Sequence, residues 1–153
     1  MFKLKQFVLS GFCLKCAGCC RFAQEDTIWS PRLLNKEKER LGKKIHLIPN
    51  PKQGNFLCSF LNIQNNKCKT YSFRPFECQL YPFLINRKEA DIFLAVDLKC
   101  PFVKKNLKDP RFKEYTQYLN DFLNSPRQLN ILKNNPQIIQ IYTDILNLAK
   151  LKI

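Results

Sequence analysis

The sequence predicts an α+β fold: a small, irregular, metal-stabilised core with short strands, followed by C-terminal helices. Three observations predict it. Eight cysteines are confined to the first two thirds of the chain, with Cys13, Cys16, Cys19 and Cys20 packed into one short segment. Between the cysteines, brief apolar runs are bounded by Asn, Pro and Gly, the pattern of short strands and turns. The last third lacks cysteine and repeats a cap-then-proline signature that opens helices. A chain of 153 residues can bury a core without help, and its 4 glycines leave little room for linkers. One domain over 1–153 is expected, with a cysteine region at 12–103 and a helical extension at 107–153 packing on it.

Taken in order, Ser30-Pro31 predicts a helix over Arg32–Leu41 ended by Gly42. Lys44–Pro49 reads as extended, and Gly54–Ile63 as a strand carrying Cys58. Asn65-Asn66 marks a turn, with Lys67–Ser72 returning as a partner strand. Arg74-Pro75 opens a short helical turn that presents Cys78 and stops at Tyr81-Pro82. Ala90–Leu98 is the clearest strand and delivers Cys100-Pro101. Asp109-Pro110, Ser125-Pro126 and Asn135-Pro136 each predict a helix start. Phe112, Tyr115, Leu119 and Phe122 form one apolar helical face after the first, and Ile138, Ile141, Ile145 and Leu148 another after the third.

Two thiols separated by two residues can turn back onto one ion, and here that spacing occurs twice in succession. Cys58, Cys68, Cys78 and Cys100 bring the total to eight, twice the number a closed tetrahedral site needs. The N-terminal apolar stretch is too short for a signal peptide and no run reaches membrane-spanning length, so a cytoplasmic chain with reduced thiols and no membrane partner is expected. All-thiolate sites favour zinc or iron–sulfur and exclude magnesium and calcium. Cys13, Cys16 and Cys19 also match the first three ligands of a [4Fe–4S] cluster. In extended backbone the adjacent Cys19 and Cys20 would point in opposite directions, which suggests two centres unless a tight turn intervenes.

The formal charge is +14; two zinc ions on eight thiolates would reduce it to about +10. Basic residues are scattered rather than gathered, so a solvated basic surface is the leading reading, with a polyanion or nucleic-acid partner as the alternative. His46, the sole histidine, reads as a strand residue rather than a ligand.

The string Cys-x2-Cys-x2-Cys-Cys at 13–20, then Cys58-x-Phe-Leu, Cys68-x2-Tyr71-x2-Arg74-Pro75-x2-Cys78, Tyr81-Pro82 and Cys100-Pro101 resembles the YkgJ-like cysteine-cluster family. That resemblance implies zinc or iron chelation through all eight cysteines. A thiolate-rich centre is net negative, so Arg74 and Arg21 are candidates to donate hydrogen bonds to its sulfurs, with Tyr71 packing or capping nearby. The cluster is also similar to part of the flagellin lysine-N-methylases, which are much longer proteins.

Catalytic residues are not evident: there is no glycine-rich phosphate loop and no His-Glu-x2-His helix. A closed zinc site is structural. The expected function is therefore a metal-binding protein rather than an enzyme. An iron–sulfur redox or methyl-transfer enzyme and a zinc-dependent nucleic-acid-binding module are the alternatives.

Overall fold

A computed structural model describes residues 4–16 and 18–153. Their elements are six helices, α1 Ser10–Cys16, α2 Asn35–Leu41, α3 Phe76–Leu80, α4 Pro101–Asn106, α5 Pro110–Leu123 and α6 Pro126–Lys133, and eight short strands. The chain divides into two compact units, one closing at Gln79 and the other running Leu80–Ile153. The α+β reading holds, with small antiparallel sheets and helices towards the C-terminus.

In the first unit, β3 (Asn55–Cys58) is central, flanked by β1 (Arg21–Phe22) and β2 (Leu47–Asn50), both antiparallel to it. A separate ribbon pairs β4 (Leu61–Asn62) with β5 (Lys67–Cys68) across Asn66, whose φ of 55° supplies the turn. The predicted strands at 54–63 and 67–72 are thus interrupted: Ser59 and Phe60 turn between β3 and β4, and a 3-10 turn at Tyr71–Phe73 follows β5.

The helix predicted to open at Ser30-Pro31 starts later, at Asn35. Ser30 is buried instead of capping, and the Leu34 N–H donates to Glu37 Oε2 at 2.9 Å. The other Glu37 oxygen accepts from Phe76 N–H at 2.7 Å, while Glu77 Oε2 accepts from Arg32 N–H. These two carboxylates tie the 32–37 segment to α3. Burial raises both, Glu77 to about 8. Aliphatic and aromatic burial in this unit is sparse: Leu4, Phe22, Leu33, Leu34, Ile45, Leu61 and Phe76.

The second unit buries far more. Its sheet runs β6 (Phe83–Lys88), β7 (Asp91–Asp97), β8 (Ile145–Lys150), antiparallel throughout, with β7 in the middle and Leu94, Ala95 and Val96 fully inaccessible. Asp109 caps α5 by accepting from Arg111 N–H at 2.9 Å. The Phe83 ring meets Phe112 at 5.7 Å and Tyr115 at 5.2 Å between centroids, which fastens α5 to β6. Buried Asp97 accepts from Tyr81 Oη at 2.9 Å and Lys99 N–H at 2.8 Å, shaping the exit from β7 towards Cys100.

The helix predicted after Asn135-Pro136 is absent; a 3-10 turn at Pro136–Ile138 leads into β8. Ile138 is 1% and Ile141 69% exposed, so the apolar spacing is not one buried face. Asp144, at a φ of 55°, redirects the chain just before the strand, and β7 needs a second partner on its open edge.

Candidate metal centre

The sheet register of the first unit brings the thiol-bearing segments together. Residues 18–21 form a turn closed by Arg21 N–H to Gly18 C=O at 3.1 Å. Pairing of Arg21 with Leu57 then sets Cys20 beside Cys58, and the Cys58 N–H donates to the Cys20 carbonyl at 3.0 Å. Cys58 also faces Leu47 across β2–β3, and Cys68 faces Leu61 across the ribbon. Cys78 lies in α3, half-buried.

The turn overturns the divergence expected of Cys19 and Cys20. Both lie in that turn rather than in extended backbone, and their mutual side-chain hydrogen bond holds the Cys19 thiol down to about 7, helped by the Arg74 and Arg21 charges against burial. The same bond, then burial, then the neighbouring sulfurs push Cys20 upward. Burial chiefly raises Cys58, with contributions from the charges of Cys68 and Cys19. Burial likewise raises Cys78 well above the usual thiol range, followed by the charges of Cys58, Glu77, Cys68 and Cys19. Cys58 and Cys78 therefore lie within electrostatic reach of each other and of Cys19, Cys20 and Cys68.

Cys13 and Cys16 sit on α1, both exposed. A Cβ at Gly18 would meet Cys16 Sγ at 3.4 Å, which places that sulfur over the start of the turn. Cys13 acts on Tyr71, whose hydroxyl is pulled down first by its hydrogen bond with Ser10 and then by Arg74. Cys100 belongs to the second unit, where it is buried and precedes α4. His46 is exposed just before β2 and gives its carbonyl to Ser59 N–H at 2.9 Å.

Among the described residues, no three His, Cys, Asp or Glu side chains stand together as a ready metal-binding group. The donor set still suits a thiophilic ion, because every ligand candidate is a sulfur. Arg74 supplies a second sign of fit. Its guanidinium stacks 4.1 Å from the Tyr71 ring centroid, its charge acts on Cys19, and its buried Nε has no hydrogen-bond partner. Arg21 donates to Asn66 Oδ1 at 2.8 Å while its charge also reaches Cys19.

Residues 12–101 match a family model described as CxxCxxCC: Putative zinc- or iron-chelating domain. The chain belongs to the CxxCxxCC family. The matched span contains all eight cysteines together with Arg21, Tyr71 and Arg74. No solved structure matches the chain. No described helix of this CxxCxxCC protein is long and apolar enough to cross a membrane.

Two contributors escaped the sequence reading. Thr70 Oγ1 lies 3.3 Å from Cys68 Sγ, and Asn66 links Arg21 to the Leu14 carbonyl of α1. The Cys68-x-Thr70 spacing carried the first signal; Asn66 was marked as a turn residue, not as a link between Arg21 and α1.

Proposed function

We propose that this CxxCxxCC protein is a metal-binding module whose thiol-ligated centre holds its first unit together. Cys13, Cys16, Cys19, Cys20, Cys58, Cys68 and Cys78 supply the ligands of that unit, and Cys100 is the eighth candidate. Arg74 and Arg21 donate to and balance the anionic sulfurs, with Tyr71 packed against Arg74. The observation that carries this reading is the mismatch between thiols and apolar burial. Among the described residues, seven of the eight cysteines fall in the unit with seven buried aliphatic and aromatic side chains, while the other unit buries more than twice as many. A unit that short of apolar core, built on strands of two to four residues, needs another source of stability.

Binding an ion would require the sulfurs to converge by side-chain rotation and to give up their protons. The bound ion, zinc or iron, would supply cross-linking in the first unit; a [4Fe–4S] cluster would supply electron transfer as well.

Elemental analysis of anaerobically purified protein tests the proposal. At least one zinc or iron per chain is expected; a value near zero refutes it. A brown protein with visible iron–sulfur absorbance selects the cluster, and a colourless zinc protein selects the closed structural site.

A further inference from the structure

The basic residues of the chain are scattered, but one stretch of the first unit gathers them. Lys36, Lys38, Arg40, Lys43 and Lys44 all belong to α2 and its exit. The acidic side chains there do not balance them. Glu37 accepts from the Leu34 N–H at 2.9 Å with one oxygen and from the Phe76 N–H at 2.7 Å with the other, so its carboxylate is turned towards α3. That leaves Glu39 among the cations of the stretch. Lys36 and Arg40, both exposed, stand at i and i+4 and share one helix face.

At Arg40 this charge meets an aromatic surface. Its Nη2 donates to the Phe73 carbonyl at 3.1 Å, and its guanidinium carbon lies 5.4 Å from the Phe73 ring centroid. Two residues before Phe73, the Tyr71 ring carries the Arg74 guanidinium at 4.1 Å. With both arginines in place the rings stay 52% exposed at Tyr71 and 36% at Phe73. Ring faces and guanidinium planes are both stacking surfaces for a flat aromatic ligand.

We propose that this face of the first unit is a seat for single-stranded nucleic acid, with bases stacking on Phe73 and Tyr71 and phosphates neutralised by Lys36, Arg40, Lys43 and Lys44. Cations that track a backbone beside rings that receive bases are the two parts of a single-strand site. An acidic peptide would use the charge and leave the rings uncovered. A duplex keeps its base faces inside its own stack, whereas unpaired bases can be splayed onto a ring. Stacking tolerates any base, so little sequence preference is expected.

The test uses the full chain, purified anaerobically, and a short fluorescent oligothymidylate read by anisotropy between about 50 and about 200 mM salt. Wild type should bind at low salt. Phe73→Ala should weaken binding about five- to 150-fold, the effect of losing one base stack. Lys43→Gln/Lys44→Gln should flatten the slope of log affinity against log salt by about 1.4, the loss of two phosphate contacts on a single strand. An abasic strand of the same length keeps the phosphates and lacks the bases, and it provides a measurement on wild type that no misfolded variant can obscure. It should bind wild type at least about fivefold more weakly than oligothymidylate. Absence of binding at low salt would overturn the seat, as would an unchanged salt slope in Lys43→Gln/Lys44→Gln. Equal affinity of wild type for the two strands, or wild-type affinity in Phe73→Ala, would overturn it too and leave a surface that attracts polyanions by charge alone.

Discussion

Removing the metal should unfold one unit and spare the other. A structural zinc site contributes about 10–16 kcal/mol of apparent folding free energy at neutral pH, while a whole small domain is stable by only about 5–15 kcal/mol. Among its described residues the first unit has seven buried aliphatic or aromatic side chains with which to compensate, so chelation should leave it unfolded rather than loosened. The second unit keeps Leu94, Val96, Val103, Leu119, Leu123 and Leu132 at 0% exposure. Hydrogen exchange with mass spectrometry on the intact chain, with and without a strong chelator under anaerobic conditions, reads both units at once. Cys58 N–H to Cys20 C=O at 3.0 Å and Ser59 N–H to His46 C=O at 2.9 Å should lose protection. Arg87 N–H to Gln140 C=O at 2.7 Å and Leu151 N–H to Ile92 C=O at 2.8 Å should keep it. Unchanged protection in β1–β3, or equal loss in both units, would refute the assignment of metal stability to the first.

Three further outcomes follow from individual residues. Cys58→Ser removes a thiol at the centre of the first sheet, so bound metal per chain should fall below wild type; elemental analysis showing full retention would take Cys58 out of the ligand set. Leu94→Ala empties a fully buried site in central β7 and should cost about 2–5 kcal/mol, read by chemical denaturation of the second unit, with no change in metal content. Glu37 is raised from the ordinary 4.5 by burial, so the folded state holds its proton more tightly than the unfolded state. Its contribution is complete below the ordinary value and declines as pH rises through the folded one. Denaturation across a pH series should show this decline in wild type and a shallower one in Glu37→Gln; identical slopes would show that Glu37 is not its source.

Features set by local chemistry were legible before the structure. Asp109-Pro110 and Ser125-Pro126 open α5 and α6, Gly42 closes α2 at a φ of 89°, and Ala90–Leu98 yields β7. Features set by distant pairing were not. The strand character of Phe83–Lys88 depends on β7, and β8 carries a helical spacing that only the open edge of β7 overrides. At the site, the cysteines announced themselves by spacing. Their grouping did not, since it follows from the register of Arg21 with Leu57 and of Leu61 with Cys68.

The adjacency of Cys19 and Cys20 shows how register changes a chemical inference. In extended backbone, neighbouring side chains alternate, and two centres become the economical division of eight ligands. Here the turn at 18–21 takes both residues out of extended backbone, and Cys58 and Cys78 act electrostatically on Cys20. Adjacency alone is therefore no argument for two centres, because a turn removes the alternation on which that division rests.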